Sequence, residues 1–540
     1  MDEPQPLTPP VALPGQTWTD LRWIVLLVVL LGGLRVWQIL NTEVATRDSV
    51  VYIRYAWRLE HEPWGKVIRQ EIQHPGYGVL VYLVGKPVRA LVPVDLPLAM
   101  QYAAQIASAL ASLLLIVPMF YLGKELFDAR VAFWSCLLFQ VMPSPGQLMP
   151  DGLSEPLFLL LTTSALCFTA WALREGRIVW YFLAGLCTGL AYLTRTEGLI
   201  IVPAALGILA LRQCYRAWRL GWLTFGRNGA ALAAGCAVVA VPFMLHIGGI
   251  SLKSSFRHIT DSEGWQQPAA PAKAGAALNV AQPWAAWNIG PNVQPRDRVV
   301  WAAWALVQTL YEVTFHVVGP LILVGLWLYR RRFVEVPGAA VMLLAGGTLA
   351  LLLWRLGQSA GYLGDRHVML IVLGGVYFGV AGVAALGHRL AGGRHAWVSV
   401  VLLLALVGFC LPRTMARLHG NRMGFREAGV WLAANSLPGD DVFDPMAWTA
   451  YHAGRIFTPA DAPRSDPPVC YVVLERSKNK HPHMWYLMDL AEDLIRHGEV
   501  VYRQPTRRDV EIVIYRVPRP ARNTPSGHHL MVWLAATYQR

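Results

Sequence analysis

The chain has 540 residues, of which 55% are hydrophobic and only 15% are charged, and its formal net charge is +13. Soluble globular proteins carry roughly 25% charged residues, so the composition excludes that class and indicates a polytopic membrane protein. Nucleic-acid binding is excluded as well, because the basic residues stand in short segments between apolar runs and no basic soluble module accompanies them.

Apolar runs of membrane-spanning length, about 17–25 residues, recur along the first three quarters of the chain. They predict about eleven transmembrane helices, at residues 21–40, 98–118, 131–148, 154–173, 178–194, 197–211, 229–249, 313–329, 336–354, 367–387 and 396–412. No basic stretch precedes the first run and no small-residue cleavage site follows it, so we expect this run to remain as a helix.

The basic segments between the apolar runs set the predicted orientation, because cytoplasmic loops are enriched in Lys and Arg. This rule places an N-terminal tail, residues 1–20, in the cytoplasm. It places two long loops, residues 41–97 and 250–312, on the extracytoplasmic side. The sequence therefore predicts a transmembrane domain over residues 21–412 with two long outer loops.

The first outer loop opens with the stretch "RDSVVYIRYAWRLEH". Asp48, Tyr52 and Tyr55 follow helical spacing and share one helix face, while Arg54 and Arg58 lie on the neighbouring face. This pattern predicts an interfacial helix that presents one carboxylate inward and its arginines to phosphate. The alternative is a helix whose first turn favours an Asp electrostatically, with that Asp paired to the arginine before it.

Other ionisable residues gather at the same predicted membrane boundary, where they are costly and indicate function. They are His74 in "HPGYG", Asp151 and Glu155 in "MPDGLSEP", Arg195 and Glu197 in "YLTRTEG", Arg355, and Asp365, Arg366 and His367 in "GYLGDRH". Simpler interpretations remain open. Arg195 and Glu197 can pair with each other, and Asp151, Ser154 and Asp365 can cap helices.

Metal binding has little support in the sequence. Most of the seven cysteines lie in or beside apolar runs without a CxxC pair, so we interpret them as packing residues. The histidines in "HPH" (481–483) and "GHH" (527–529) have no carboxylate or cysteine partners nearby. We therefore predict no metal site.

The end of the chain changes character. In residues 413–518, "MGFREAGVWLAANS" and "MWYLMDLAEDLIRHG" have helical spacing, and "VCYVVLER" and "RDVEIVIYRV" are typical of strands. These segments predict a small extracytoplasmic α/β domain. The last residues, 519–540, form a tail without an assignment.

The predicted outer pocket contains a lone Asp, several arginines and a histidine. A lipid-linked sugar phosphate carries a good leaving group, so its transfer needs a carboxylate to accept a proton from the acceptor and cations to stabilise the departing phosphate. A glycoside hydrolase would instead need two carboxylates that flank the bond. The residue types therefore favour sugar transfer.

An Asp just after the first membrane helix, followed by "YIRYAWRL" and "HPGYG", resembles the first outer loop of the GT-C glycosyltransferases. Within that superfamily the branch of protein O-mannosyltransferases and aminoarabinose transferases is the most similar. "SEPLFLLLTTSAL", "GLCTGLAYLTRTEGLIIVPA" and "DRHVMLIVL" resemble later segments of this branch. The resemblance implies an inverting transferase of the bacterial inner membrane that uses a polyprenyl-phosphate-linked sugar on the extracytoplasmic face.

The resemblance also implies roles for individual residues. Asp48 matches the general base or acceptor-orienting carboxylate of the family. The candidate substrate-binding residues are Arg195 and Arg366 for phosphate, His74 and His367 as weaker phosphate ligands, Glu155 as acceptor-orienting or arginine-bracing, and Tyr52 and Tyr55 as sugar-stacking or packing residues. The acceptor stays open, since lipid, polysaccharide and protein acceptors occur among relatives.

Two departures from the family pattern matter. Many members have an acidic pair where this chain has Arg47 and Asp48, so a requirement for a divalent metal stays open and no cofactor is predicted. Many also read His-Pro-Pro where this chain has His74, Pro75 and Gly76.

The main alternative function is a transporter or flippase of lipid-linked sugars, which predicts inverted repeats. A non-catalytic scaffold would leave the clustered charges unexplained.

Overall fold

A computed structural model describes residues 16–214, 221–253, 295–360, 363–390, 397–437, 439–457, 469–476, 485–505, 510–520, 524 and 526–531. Most of the predicted N-terminal tail, most of the second loop and most of the C-terminal tail lie outside these residues. The His-Pro-His segment at 481–483 lies outside them as well.

Helices form most of the described chain, because a backbone inside a membrane must satisfy its hydrogen bonds internally. In chain order they are α1 (Gln16–Leu40), α2 (Arg47–His61), α3 (Trp64–Gln70), α4 (Pro75–Leu91), α5 (Leu96–Leu126), α6 (Ala129–Val141), α7 (Pro143–Leu148), α8 (Glu155–Glu175), α9 (Ile178–Tyr192), α10 (Ile201–Cys214), α11 (Trp222–Ile247), α12 (Pro295–Val313), α13 (Val318–Leu328), α14 (Arg332–Glu335), α15 (Pro337–Ala360), α16 (Met369–Leu390), α17 (Trp397–Thr414), α18 (Phe425–Asn435), α19 (Trp448–His452) and α20 (Trp485–Leu494). Short 3-10 helices, Thr196–Ile200 and Asp365–Val368, lead directly into α10 and α16.

Eight helices of the described chain are long and apolar enough to cross a membrane. They are formed by α1, α5, α8, α10 with its 3-10 turn, α11, α15, α16 with its 3-10 turn, and α17. The bent pair of α12 and α13 raises the number to 9, whereas α6 and α9 are apolar but shorter. Every predicted helix has a helical counterpart, but length and composition do not confirm the number of eleven.

Two predicted helices differ in form from the structure. The predicted helix 131–148 is broken into α6 and α7, because Met142 precedes Pro143 and a residue before proline is disfavoured in the helical conformation. Its ψ is 140°. The predicted helix 313–329 corresponds to α13, which meets α12 at 104°. The turn between them includes Phe315 with a φ of 51°.

The first loop folds into α2, α3 and α4, and two glycines let it pack closely. The N–H of Gly76 donates to the carbonyl of Leu193 at 2.7 Å, and a Cβ at Gly76 would lie 2.8 Å from that oxygen. A Cβ at Gly78 would lie 2.7 Å from the ring of Tyr55. The departure from His-Pro-Pro thus has a structural counterpart, since proline at position 76 would lack this donor.

The C-terminal region, which follows α17, contains a four-stranded sheet. Its strands are β1 (Asp441–Phe443), β2 (Val469–Arg476), β3 (Glu499–Pro505) and β4 (Glu511–Pro518), in the spatial order β1-β2-β4-β3. β1 is parallel to β2, and the other pairs are antiparallel. The predicted strands correspond to β2 and β4 and the predicted helices to α18 and α20, whereas β1 and β3 were not predicted.

Apolar packing divides into two main cores. One lies among the membrane helices. The other joins α2 and α4 of the first loop to the sheet, and it includes Tyr52, Tyr77, Trp448 and Tyr451. The hydroxyl of Tyr451 also donates to the carbonyl of Pro97, at the start of α5. The C-terminal region is therefore packed directly against the loop that carries Asp48.

Candidate active site

Charged residues from four segments meet at the end of the bundle that carries the first loop. Asp48 lies in the first turn of α2, and Glu155 is the first residue of α8. Arg195 directly precedes one 3-10 helix, and Arg366 lies in the other. Helix N-termini carry partial positive charge, which stabilises the carboxylates placed there.

The side chains form a series of alternating ion pairs. Arg366 pairs with Asp48, and its Nε lies 3.8 Å from Oε1 of Glu155. Arg195 pairs with that same Glu155 oxygen, and its Nη2 lies 3.0 Å from Oε1 of Glu197. We name this series, from Glu197 through Arg195, Glu155 and Arg366 to Asp48, the ion chain. It joins residues as far as 318 positions apart.

Exposure changes along the ion chain. The side chains of Glu155 and Arg195 are only 2% and 9% exposed. Those of Asp48 and Arg366 are 30% and 31% exposed. Glu197, at the opposite end, is 27% exposed. The ion chain thus has a buried middle that fixes its geometry, and at its accessible Asp48 end a carboxylate and a guanidinium can contact a ligand.

Electrostatics keep Asp48 and Arg195 of the ion chain charged. Burial raises the pKa of Asp48, but the Arg366 guanidinium outweighs this effect and holds the pKa below its ordinary value. Burial lowers the pKa of Arg195, but the negative charges of Glu197 and Glu155 raise it by a larger amount. The pKa of Arg195 is therefore above its ordinary value. Asp48 is therefore an ionised hydrogen-bond acceptor at neutral pH.

Glu155 braces both arginines and keeps one oxygen unused. Its Oε1 serves Arg195 and Arg366, whereas its buried Oε2 has no hydrogen-bond partner among the described residues. Ser154 does not cap α8; its Oγ instead accepts a hydrogen bond of 2.9 Å from the Tyr52 hydroxyl. A buried carboxylate oxygen without a partner is costly, so Oε2 is a position at which a donor group can bind.

His74 fixes the start of the second loop. Its Nδ1 lies 2.7 Å from the carbonyl of Tyr192, to which it donates, and its Nε2 lies 3.1 Å from Oγ of Ser251. Burial lowers the pKa of His74 to about 3. The neutral ring therefore supplies no positive charge for a phosphate, and its evident contribution is to anchor Ser251.

Lys253 is a cation that the sequence reasoning missed. It follows Ser251 by two residues, and its amide donates to the Ser251 hydroxyl at 3.2 Å. Burial and the charge of Arg195 lower the pKa of Lys253 to about 8, while Glu197 opposes this shift. Lysines at membrane boundaries are common, so the sequence held no signal to separate this one from the rest.

Three other predicted residues, His367, Asp365 and Tyr55, do not belong to the ion chain. Nδ1 of His367 accepts the N–H of Gly364 at 3.1 Å, so it shapes the turn that carries Arg366. Asp365 accepts from Ser144 at 2.9 Å, so it is not the helix cap that the sequence allowed. Tyr55 is fully buried with Leu59 and Val67 in a small cluster of its own.

The arginines of α2 correct one prediction. Arg54 and Arg58 were expected to face phosphate, but both pair with Glu71, at 3.2 and 2.9 Å. Arg58 also binds Glu62 at 2.6 Å. The reason is local, because Glu71 is buried and a buried carboxylate requires a cation. We name Arg54, Arg58, Glu62 and Glu71 the local cluster.

Asp151 was also interpreted as a cap, and the structure gives it a different partner. Its carboxylate accepts the N–H of Thr46 at 3.0 Å and contacts Nε2 of His419 at 2.9 Å. Within the described ranges, no group of three or more His, Cys, Asp or Glu side chains is arranged to hold a metal ion.

Comparisons with known proteins agree on the architecture. A family model described as dolichyl-phosphate-mannose-protein mannosyltransferase matches residues 98–246. The apo oligosaccharyltransferase of Archaeoglobus fulgidus is similar with a TM-score of 0.51 and 13% identity, over 81% of this chain and 64% of that one. This chain thus spans less than two thirds of that relative. No curated protein matches by sequence.

Two further structures are similar over a larger share of both chains. The oligosaccharyltransferase AglB of Archaeoglobus fulgidus, in complex with an inhibitory peptide and a dolichol-phosphate, gives a TM-score of 0.56 at 14% identity, over 95% of this chain and 78% of that one. ArnT of Cupriavidus metallidurans, bound to undecaprenyl phosphate, gives 0.54 at 15% identity, over 92% of this chain and 98% of that one.

Proposed function

Because the chain has the GT-C fold of membrane glycosyltransferases, we propose that it transfers a sugar from a polyprenyl-phosphate-linked donor to an acceptor. The observation that carries the proposal is the accessible end of the ion chain, where Asp48 stands beside Arg366. The polyprenyl phosphates in two similar structures support the donor class.

The proposed reaction uses Asp48 as the general base. Its carboxylate accepts the proton of the acceptor nucleophile as that atom attacks the anomeric carbon of the sugar. The bond from this carbon to the phosphate oxygen breaks, and its electron pair leaves with the phosphate. Attack from the face opposite the leaving group inverts the anomeric centre.

In the proposed reaction, the cations near Asp48 bind the donor phosphate or hold the site in place. Arg366 is shared between Asp48 and Glu155, so it can turn toward negative charge that develops on the phosphate. Arg195 is held between Glu155 and Glu197 and therefore braces the site from behind. Lys253 adds a third positive group whose charge is favoured when an anion binds.

The proposed location follows from the basic loops. We propose that the Asp48 end of the ion chain faces the extracytoplasmic side, which the positive-inside rule supports. The resemblance to bacterial members of the family supports the inner membrane as the location. On this proposal, residues 413–518 form an extracytoplasmic domain that covers the first loop, and residues 21–412 form the transmembrane domain. Labelling of a single introduced cysteine at Glu60, with membrane-impermeant reagents on intact cells, tests the side directly. Labelling only after lysis would contradict it.

The function is tested by incubating the purified protein with radiolabelled polyprenyl-phosphate sugars and with native membrane extract as the acceptor source. We expect transfer from one donor, and we expect Asp48→Asn to slow it about 1,000-fold while the donor still binds. Donor binding without transfer by the wild-type protein would contradict the enzyme and favour the transporter or flippase.

A further inference from the structure

The segment that enters α2 is held by the C-terminal region. Thr46 is the residue directly before α2, and its N–H donates to Oδ1 of Asp151 at 3.0 Å. Asp151 is 6% exposed. Both of its oxygens also lie 2.9 Å from Nε2 of His419, which stands 268 positions later in the chain. The start of the helix that carries Asp48 is thereby tied to the C-terminal region.

The protonation of His419 follows from its second partner. Nη1 of Arg422 lies 3.2 Å from Nδ1 of His419. A guanidinium has no acceptor, so Arg422 donates and Nδ1 must carry the lone pair. The ring proton then lies on Nε2, from which it is donated to Asp151. Arg422 therefore selects the tautomer that binds Asp151.

Neighbouring contacts hold the same short stretch of the first loop. The guanidinium of Arg422 lies 4.5 Å from the centre of the Trp448 ring, and the Trp448 indole N–H donates to the carbonyl of Ala45 at 2.9 Å. The N–H of Gly424 donates to Oε1 of Glu43 at 2.7 Å. Residues 43–46 are thus bound directly at two points by residues 424–448, and at a third point by His419 through Asp151.

His419 has an unusual backbone conformation. His419 has a φ of 50° and a ψ of 34°, a left-handed conformation that is uncommon for residues other than glycine. Such a conformation persists only where the surroundings determine it and is often found at functional sites. The imidazole of this residue contacts Asp151.

We propose that His419 is a positioning residue for Asp48, acting through Asp151 and the N–H of Thr46. The inference rests on the proposed function, because it matters only if Asp48 carries the chemistry. A misplacement of about 1 Å at a reacting group can cost on the order of 100-fold in rate. Loss of His419 should therefore lower the turnover number and leave donor binding, which depends on the arginines, unchanged.

Two variants and one control test the inference on the full-length protein. His419→Ala removes the donor, whereas His419→Gln keeps an N–H at a similar distance from the backbone. His497→Ala is the matched control, since His497 is an exposed histidine of the C-terminal region. Hydrogen–deuterium exchange over residues 43–52 measures the hold on α2 without any need for activity.

We expect exchange over residues 43–52 to be about tenfold faster in His419→Ala, close to wild type in His419→Gln and unchanged in His497→Ala. We also expect the turnover number to fall on the order of tenfold or more in His419→Ala, with the donor KM unchanged and with rescue in His419→Gln. Unchanged exchange would overturn the inference, and so would faster exchange with unchanged turnover.

The transfer assay distinguishes failure of the proposed function from failure of the positioning role. If the wild-type protein transfers no sugar from any donor, the function and the positioning role are both overturned, whatever the exchange data show. If transfer occurs but the His419 variants behave like wild type, only the positioning role is overturned.

Discussion

The ion chain and the local cluster both consist of arginines paired with carboxylates, but they are assembled differently. The local cluster draws its arginines and glutamates from one stretch, residues 54–71, and its pairs are at most 17 positions apart. The ion chain draws its members from four segments and spans up to 318 positions. The first can form within a single loop, whereas the second exists only when the bundle is folded.

The two groups also differ in the exposure and the hydrogen-bond pairing of their side chains. In the local cluster, Arg58 is 8% exposed and is engaged by Glu62 and Glu71 together. In the ion chain, Asp48 is 30% exposed, and Oε2 of Glu155 has no partner among the described residues. Charge density is similar in both groups and therefore does not separate them. On the proposed function, the exposed carboxylate and the incompletely paired Glu155 of the long-range network distinguish the ion chain as the site.

The largest expected effect comes from the accessible carboxylate. Asp48→Asn removes the proposed base, so we expect the turnover number to fall about 1,000-fold, while donor binding is at least as tight because Arg366 loses a competing anion. Single-turnover transfer and equilibrium donor binding measure the two quantities. The control Asp365→Asn removes a neighbouring carboxylate that binds Ser144. Equal losses in both variants would show that the overall charge matters, not this residue.

The local cluster should respond in stability rather than in chemistry. Arg58→Ala leaves Glu62 and Glu71 without their shared partner, so we expect a loss of about 3 kcal/mol in unfolding free energy and normal turnover per folded molecule. Thermal unfolding in detergent and transfer assays check this pair of outcomes. A normal unfolding temperature with lost transfer would place Arg58 in the active site instead.

The same variant has a signature in its pH dependence. The hydrogen bond from Arg58 lowers the pKa of Glu62 from 4.5 to about 2. A carboxyl whose pKa is lowered by folding contributes stability above its ordinary pKa and loses it as the pH falls through the lowered value. Wild-type stability should therefore fall between pH 4.5 and about 2, and Arg58→Ala should show less of this fall.

A smaller effect is expected at Lys253. Its pKa is lowered to about 8 by burial and by Arg195, and an anion binds best to the charged form. Binding of undecaprenyl phosphate should weaken as the pH rises through 8, by roughly tenfold between pH 7 and pH 9. Lys253→Met should remove this pH dependence. An unchanged pH profile in that variant would exclude Lys253 from the phosphate site.

The sequence predicted the position of most helices and four of the residues that meet, but not the number of membrane spans or the break at Met142. Long apolar runs and boundary charges predicted the positions of Asp48, Glu155, Arg195 and Arg366 because a charge at a membrane boundary needs a reason. The same reasoning predicted β2 and β4, whose alternation is strong. β1 was missed because it is only three residues long.

What the sequence could not predict were the partners. The spacing of Arg54 and Arg58 placed them on one helix face, but nothing indicated that Glu71 would fold back against them. The pairing of Asp151 with His419 depends on how the C-terminal region packs on the first loop. Such contacts arise from tertiary packing between distant segments, and helical spacing carries no information about them.

The central claim is that the ion chain, and not the local cluster, binds the donor phosphate. The most direct test is the affinity for undecaprenyl phosphate in Arg366→Ala and Arg58→Ala, measured on folded protein at one pH and salt concentration. We expect binding about tenfold weaker or more in Arg366→Ala, since a charge-assisted contact contributes about 1.5–3 kcal/mol, and wild-type affinity in Arg58→Ala. Equal affinity in the two variants, or a loss only in Arg58→Ala, would contradict it.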